Sequence, residues 1–117
     1  MNRLSTPLEL ELSPKDFKAA NDIKQYIDST YLLNHTLSDL TRHFGTNSNR
    51  LMSLFKAVFN KSIFEHIGDL KMRYAHDLLV KEDRSVTEVS RMVGYKNANH
   101  FSTAFKKRFG VSPAKIK

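Results

Sequence analysis

The sequence contains no cysteine and no tryptophan, and it has only three prolines and four glycines among its 117 residues. Without cysteine, the chain can form neither disulfide bonds nor metal sites built on thiolates. No apolar run approaches the roughly 20 residues that a membrane-spanning helix needs. The N-terminal stretch also lacks the apolar core of a signal peptide. We therefore expect a cytoplasmic chain with no membrane partner and no cofactor.

Positive charge is concentrated in the last third of the chain. The whole sequence carries a net charge of +7. Residues 81–117 hold nine Lys and Arg against three Asp and Glu, whereas residues 1–35 hold four against five. A basic region of this kind attracts an acidic partner, of which nucleic acid is the first candidate. Charge alone leaves open the alternative of a basic surface that only aids solubility.

Apolar residues recur at helical spacing along most of the chain, which predicts an all-α fold. Seven helices are predicted, near residues 14–33, 37–44, 48–59, 62–80, 86–93 and 97–109, with a last turn from residue 113. The leucines of PLELEL, residues 7–12, alternate with glutamates and have no obvious partner strand. We interpret residues 1–14 as a linker or a short extended arm that packs on the domain.

Capping residues set the predicted helix boundaries. Ser13, Thr36, Ser62 and Ser85 are expected N-caps, and Glu88 completes a capping box with Ser85. Glycines 45, 94 and 110 are expected to end helices. The predicted buried faces place Phe17 in the core of the first helix. On the longest helix they form one stripe of Ile63, Ile67, Leu70, Tyr74, Leu78 and Leu79.

The chain contains an internal repeat. Residues 37–45, LSDLTRHFG, align with residues 86–94, VTEVSRMVG, at an offset of 49. After the turn the offset becomes 50, and Phe55, Lys56 and Phe59 then match Phe105, Lys106 and Phe109. Each copy is a helix, a short turn and a second helix, with glycine closing the first helix. Two copies with polar turns and basic ends favour DNA binding over a generic helix pair.

The longest predicted helix separates the two copies. We expect a linker or arm at 1–14, a first helix-turn-helix subdomain at 15–61, a connecting helix at 62–80 and a second helix-turn-helix subdomain at 81–117. A helix of this length measures about 28 Å. Two helices that read successive major grooves must lie about 34 Å apart, so this helix is a spacer of the right order. One chain is then expected to recognise an asymmetric site.

The sequence resembles the DNA-binding domain of the AraC/XylS family of bacterial transcription regulators. The second half carries the resemblance most closely, through Gly94-Tyr95, Phe101, Phe105-Lys106, Gly110 and Pro113. The first half carries it more loosely, and together they cover about residues 20–117. Lys71 departs from the family's usual arginine, which puts in doubt any bidentate contact there. Thr41 and Ser90 stand where the family usually has alanine.

The resemblance implies two helix-turn-helix units that insert into successive major grooves and regulate transcription at the bacterial nucleoid. It also implies RNA polymerase as a second partner beside double-stranded DNA. Family members usually carry a separate ligand-sensing or dimerisation domain. The chain is either the C-terminal domain of such a longer, ligand-responsive regulator or a short stand-alone regulator. We favour the first alternative, and we expect the isolated domain to be monomeric.

The exposed faces of the third and sixth helices carry the candidate base-reading residues. Asparagine can pair with adenine, and arginine with guanine, in the major groove. The predicted base-reading set is Asn47, Asn49, Arg50, Met52, Ser53, Asn99, His100, Ser102 and Thr103. Met52 has the alternative role of a partly buried residue that fills a gap in the core. Because most of these side chains are short and uncharged, we expect modest specificity and strong salt dependence.

Phosphate contacts are predicted from helix N-termini and from basic or hydroxyl side chains near the turns. The predicted set is Thr36, Lys56, Lys61, Ser85, Tyr95, Lys96, Lys106 and Lys107. Successive residues on a helix turn by about 100°, so Lys106, Lys107 and Arg108 cannot all face the DNA.

Two other classes of function compete with DNA binding. An enzyme is disfavoured because the sequence offers no convincing nucleophile–base pair, phosphate loop or carboxylate dyad. The five histidines are expected at the surface or at an interface, with no catalytic or metal-binding role. A helical protein-interaction module without specific DNA reading is the remaining alternative. It is disfavoured because such interfaces need aromatic or apolar anchors.

Overall fold

A computed structural model describes residues 12–117, and it contains seven α-helices. They are α1 (Pro14–Thr30), α2 (Leu37–Phe44), α3 (Ser48–Phe59), α4 (Ile63–Lys81), α5 (Val86–Met92), α6 (Ala98–Phe109) and α7 (Pro113–Ile116). The predicted all-α fold is confirmed over this range, which contains no strand. None of these helices is long and apolar enough to cross a membrane. Most of the predicted N-terminal arm lies outside the described residues.

Side-chain caps begin the helices where the sequence predicts them. The Ser13, Thr36 and Ser85 hydroxyls each accept a hydrogen bond from the backbone N–H three residues later, at 3.0–3.1 Å. Ser62 caps α4 in the same way through Glu65 N–H, at 3.0 Å. A good N-cap stabilises a helix by about 1 kcal/mol, because it satisfies a backbone donor that the helix itself leaves unpaired.

The described chain divides into two compact units. The first contains residues 12–31 and 35–67, and the second contains residues 32–34 and 68–117. The boundary falls within α4, whose first turns belong to the first unit and whose remainder belongs to the second. The finer division into an arm, two subdomains and a connecting helix stays a prediction.

The first unit packs α1 and α2 against α3. Its buried residues include Ile27, Leu40, Leu51, Phe55 and Ile63, each at most 1% exposed. They come from all four helical segments of the unit, so each helix contributes one apolar face to the same core. Helix α3 is therefore held by its buried Leu and Phe side, and its polar side is exposed.

The second unit repeats this arrangement with α5, α6 and the larger part of α4. Its core cluster consists of Met72, Ala75, Leu78, Leu79, Val89, Val93, Phe101 and Phe105. Phe101 and Phe105 are fully buried. Their rings contact each other with centroids 5.7 Å apart, which adds an aromatic contact to the burial of apolar area.

The internal repeat is visible in equivalent hydrogen bonds. In the first turn, Thr46 N–H donates to the Thr41 carbonyl at 3.1 Å, and in the second, Tyr95 N–H donates to the Ser90 carbonyl at 2.8 Å. Both turns contain a glycine in the left-handed region, Gly45 at φ 64° and Gly94 at φ 91°. These bonds satisfy the last carbonyls of the first helix and direct the chain into the second.

The aromatic contacts of α3 and α6 repeat as well. The Phe55 and Phe59 rings lie 4.7 Å apart with an interplanar angle of 51°. Phe105 and Phe109, fifty residues later, lie 4.6 Å apart at 47°. The two units therefore use the same residue pair in the same geometry.

Several predicted core positions are wrong. Phe17 is 46% exposed although its spacing places it on the buried face of α1. Leu70 is only half-buried, whereas Met72 and Ala75 are buried. Tyr74 is also half-buried, but it packs against the core of the second unit. The reason is that α4 serves two cores. Ile63 and Ile67 lie in the first unit and the later residues in the second, so one continuous stripe is not required.

The expectation that every histidine is exposed or at an interface is also wrong for His66. Its residue exposure is 4%, and its Nε2 lies 2.7 Å from Asp28 Oδ1. Asp28 also accepts a hydrogen bond from Lys24 at 2.8 Å. Burial alone raises the pKa of Asp28, but these two partners outweigh it and the pKa lies below its usual value. His66 is thus a structural residue that joins the start of α4 to α1.

We expect Phe105→Ala to destabilise the fold by about 3–5 kcal/mol, because it removes a fully buried ring and leaves a cavity. Phe17→Ala, at a half-exposed ring, should cost no more than about 1 kcal/mol. Urea unfolding followed by circular dichroism measures both. Equal losses from the two variants would contradict the described core.

Gly45→Ala should destabilise the fold by about 1–2 kcal/mol, because a β-carbon is strained at a positive φ. Gly68 lies inside α4 with no atom within 4 Å of an added β-carbon. Gly68→Ala should therefore stabilise the fold by up to about 1 kcal/mol, through helix propensity. Thermal unfolding should show a lower melting temperature for Gly45→Ala and a higher one for Gly68→Ala. Shifts of the same sign would contradict one of the two backbone assignments.

Candidate nucleic-acid interface

Helices α3 and α6 each have one buried apolar side and one exposed polar side. Leu51, Leu54 and Phe55 bury one side of α3, and Phe101 and Phe105 bury one side of α6. The first turn of each helix is exposed, including Asn49 in α3 and Asn99 and His100 in α6. The N-terminal end of a recognition helix is the part that meets base edges in helix-turn-helix proteins.

An asparagine is the N-cap of both helices, Asn47 for α3 and Asn97 for α6. Asn47 Oδ1 accepts the Arg50 N–H at 2.8 Å. Asn97 Oδ1 accepts the N–H groups of Asn99 and His100 at 2.8 and 3.1 Å. Asn47 belongs to the predicted base-reading set, whereas Asn97 does not. In both cases the carbonyl oxygen caps the helix, so the amide N–H₂ is the group left for a partner.

Arg50, the one arginine among the predicted base-reading residues, is engaged by its own unit. Its Nη2 donates to Asp16 Oδ1 at 2.8 Å. Asp16 lies in the first turn of α1, 34 residues away in the chain. Local sequence patterns do not predict this ion pair, because only the packing of α1 on α3 brings the two residues together.

The remaining predicted base-reading residues fall into two groups by exposure. Asn49, Asn99, His100 and Thr103 are exposed, whereas Met52, Ser53 and Ser102 are half-buried. The Thr103 hydroxyl donates to the Asn99 carbonyl at 3.0 Å, and it keeps its lone pairs for a further contact. Half-burial of Met52 agrees with both of its predicted roles. The base-reading assignments stay predictions.

The predicted phosphate sites at Thr36 and Ser85 have fewer free donors than helix N-termini usually offer. Each hydroxyl already accepts a backbone N–H of its helix. Glu88 Oε1 also accepts Ser85 N–H at 3.0 Å. Its carboxylate thus stands where a phosphate would approach, and like charges repel. The capping-box motif of Ser85 and Glu88 in the sequence is the signal that Glu88 competes with a phosphate for these backbone donors.

The basic residues predicted to meet phosphate lie mainly on exposed positions. Lys56, Lys96, Lys106 and Lys107 are exposed, and Lys61 is half-buried. Tyr95 is half-buried against Phe101, with ring centroids 5.6 Å apart, and burial raises the pKa of its hydroxyl. Its hydroxyl is therefore a neutral donor near pH 7. Arg108 is held by Asp69 at 3.5 Å and lies over the Phe109 ring.

Lys71 is a cation that the predicted site omits. Its side chain reaches the turn of the second unit, where Nζ lies 3.4 Å from the position of a β-carbon built on Gly94. Burial lowers the pKa of Lys71. Its spacing on α4 gives no indication of this position, because the contact depends on how α4 packs against the turn.

The described residues offer little to a metal. In residues 12–117, no group of three His, Asp or Glu side chains could hold an ion together. The surface presents two short helices, α3 and α6, each with a polar first turn and with basic residues in its last turn. This is the arrangement of a helix-turn-helix protein that binds DNA.

Comparisons with known proteins give the family. A family model described as a helix-turn-helix domain matches residues 40–117. The transcriptional regulator ExsA of Pseudomonas aeruginosa is 28% identical over 93 residues, which cover 80% of this chain and 34% of ExsA. The Msm operon regulatory protein of Streptococcus mutans is 33% identical over 109 residues, covering 92% and 39% respectively. The chain spans under two fifths of the length of these two relatives.

Solved structures agree with the fold. The C-terminal domain of the response regulator yesN from Fusobacterium nucleatum gives a TM-score of 0.78 at 27% identity, covering 85% of this chain and 97% of that one. A probable AraC family regulator from Rhodopseudomonas palustris gives 0.77 at 23% identity, covering 85% and 94%. The DNA-binding domain of AdpA, solved with a target DNA, gives 0.75 at 16% identity, covering 83% and 87%.

The chain is therefore a helix-turn-helix domain of the class found in bacterial transcription regulators. It belongs to the AraC family of helix-turn-helix regulators, and the predicted family membership is confirmed.

The fold should lose stability as the pH falls below about 4.5. The Ser85 cap lowers the pKa of Glu88 below 4.5, and the Ser13 cap and Arg50 lower that of Asp16 below 3.8. A carboxyl with a lowered folded pKa stabilises the protein above its unfolded pKa, and this contribution is lost as the pH falls through the folded value. Thermal unfolding from pH 7 to pH 3 measures the slope.

Glu88→Gln should be less stable than the wild type at pH 7, and its stability should depend less on pH below 4.5. Glu65→Gln changes the equivalent carboxylate, which accepts Ser62 N–H at 2.7 Å at the start of α4, and it should lower stability at pH 7 in the same direction. The same pH profile for Glu88→Gln and the wild type would contradict the role of the Glu88 carboxylate.

Proposed function

We propose that the second helix of each helix-turn-helix, α3 in the first unit and α6 in the second, inserts into the major groove of double-stranded DNA. We also propose that the two units read successive grooves of one asymmetric site. The observation that carries this proposal is the repeated division of α3 and α6 into a buried phenylalanine side and an exposed polar first turn. A major groove about 12 Å wide admits a helix presented in this way.

Base reading is assigned to the exposed first turns. Asn49 in the first unit and Asn99 in the second carry amides that match the donor and acceptor pattern of adenine. His100 and Thr103, beside Asn99, are assigned further contacts with base edges. Because α6 has no arginine in its first turns, its contribution to specificity is modest, and much of its affinity comes from charge.

Phosphate binding is assigned to Lys56, Lys96, Lys106 and Lys107, with the Tyr95 hydroxyl as a neutral donor. These contacts hold the protein on the duplex without reading sequence. Lys56 on α3 and Lys106 and Lys107 on α6 support this role because their side chains are exposed, whereas Phe55 and Phe105 of the same helices are buried.

The whole protein's regulatory activity extends this proposal. ExsA and the Msm regulator are two to three times longer than this chain. We infer that the domain acts at the bacterial nucleoid by binding and without a catalytic step. We also propose that the whole protein carries a separate ligand-responsive domain and that it contacts RNA polymerase. The isolated domain is proposed to be a monomer.

Asn49→Ala should weaken binding to a selected duplex by about 1–3 kcal/mol and relax one base position, because it removes one amide contact. Fluorescence anisotropy with a duplex selected by the wild-type chain, and with a shuffled duplex, measures both effects. Asn21→Ala, at an exposed asparagine of α1, is the control. Equal losses on the two duplexes would remove Asn49 from the base-reading set.

Lys106→Ala should weaken binding to all sequences alike and reduce the slope of log K against log salt by about 1. Titrations at four salt concentrations measure the slope, and Lys15→Ala on α1 is the matched charge control. An unchanged slope for Lys106→Ala would show that this lysine is solvated on the DNA. Absence of wild-type binding to any duplex at low salt would favour a protein-interaction module.

A further inference from the structure

The carboxylate of Asp16 connects the N-terminus of α1 to the first turn of α3. Asp16 Oδ2 accepts the backbone N–H of Ser13 at 3.0 Å, and Asp16 Oδ1 accepts Arg50 Nη2 at 2.8 Å. The two oxygens of a single side chain therefore hold the N-cap of α1 and the first turn of α3. Asp16 lies in a capping box, which fixes its backbone and its rotamer.

The two partners differ in how freely they meet solvent. The Asp16 side chain is 18% exposed and the Arg50 side chain is 51% exposed. The Ser13 N–H and Arg50 lower the pKa of Asp16, so its carboxylate is ionised near pH 7, and arginine is always charged. The fixed member of the pair is thus the anion, and the movable member is the cation on the reading helix.

A guanidinium at the edge of a DNA-reading surface binds phosphate oxygens of any sequence. The Asp16 carboxylate occupies Nη2 of this guanidinium, so a bidentate contact with DNA that uses the same nitrogen competes with the ion pair. Two acceptors of guanine, O6 and N7, offer a bidentate replacement, whereas a single phosphate oxygen offers a weaker one. An internal competitor of this kind penalises wrong sites more than the right one.

We propose that Asp16 is a specificity-determining residue, which holds Arg50 so that the arginine turns to DNA only where the acceptors outcompete this carboxylate. The inference rests on the proposed function and deepens it. Asp16 itself contacts no DNA, and it acts by positioning Arg50. The competing interpretation is a purely structural ion pair that fastens α1 to α3 and leaves recognition unchanged.

Asp16→Asn separates these interpretations, because the amide keeps an oxygen for Ser13 N–H and removes the charge that holds Arg50. Its affinity for a shuffled duplex should rise about two- to fivefold, the range expected for a partly exposed ion pair. Its affinity for the duplex selected by the wild type should change less. The ratio of the two affinities therefore falls.

Asp22→Asn is the matched control. Asp22 lies on the same helix, pairs with Lys18 at 3.1 Å and lines the same cleft of about 340 Å³ as Arg50. The Asp22→Asn substitution removes one negative charge from the same side of the unit, as Asp16→Asn does. An equal rise in non-specific affinity for Asp22→Asn would mean that net charge explains the effect, which would overturn the proposal.

Arg50→Gln supplies an independent variant if Asp16→Asn folds poorly. It should lose about tenfold or more on the selected duplex and less than about twofold on the shuffled one. In the Arg50→Gln background, Asp16→Asn should no longer raise binding to the shuffled duplex. A lower melting temperature with an unchanged affinity ratio for both single variants would identify a structural pair and overturn the proposal.

The outcome for the wild-type chain distinguishes this inference from the function it rests on. If the wild type binds no duplex at low salt, the proposed function fails and this inference fails with it. If the wild type binds and prefers its selected duplex, but Asp16→Asn keeps the same ratio, only the role of Asp16 fails.

Discussion

Burial of the phenylalanines of α3 and α6 is the constraint on which the candidate interface depends. Phe55 in the first unit and Phe101 and Phe105 in the second have no exposed surface. A helix with one side fixed in this way cannot rotate about its own axis without exposing aromatic area, at a cost of about 25 cal/mol for each Å². The polar first turns are therefore presented outward by the same packing that stabilises each unit.

The interface residues also have structural tasks, and these tasks limit what each can contribute to recognition. Asn47 and Asn97 use their carbonyl oxygens as caps, which leaves them as donors. Ser85 and Glu88 form a capping box that occupies the donors at the start of α5. The proposed base reading is therefore assigned to side chains beyond the caps, such as Asn49 in α3 and Asn99 in α6.

The helices were predictable because their signals are local. Ser13, Thr36 and Ser85 cap helices where the sequence places them, and Gly45 ends α2 as expected. The repeat then identified the two helix-turn-helix units. What the sequence could not predict depends on contacts between distant segments: the burial of His66 against Asp28, the exposure of Phe17, and the pairing of Arg50 with Asp16. Helical spacing describes a face of one helix, but it does not say which core that face meets.

The ion pair between Asp16 and Arg50 bears on how fast such a domain finds its site. If Asp16 holds Arg50 as proposed, the neutralised guanidinium releases fewer counterions from DNA of random sequence. The domain would then bind random sequence through fewer cations and would break fewer contacts at each step along the duplex. Arg50 would contact DNA only when the domain stops at its specific site. The search along the duplex would then be rapid, and the final complex would be long-lived.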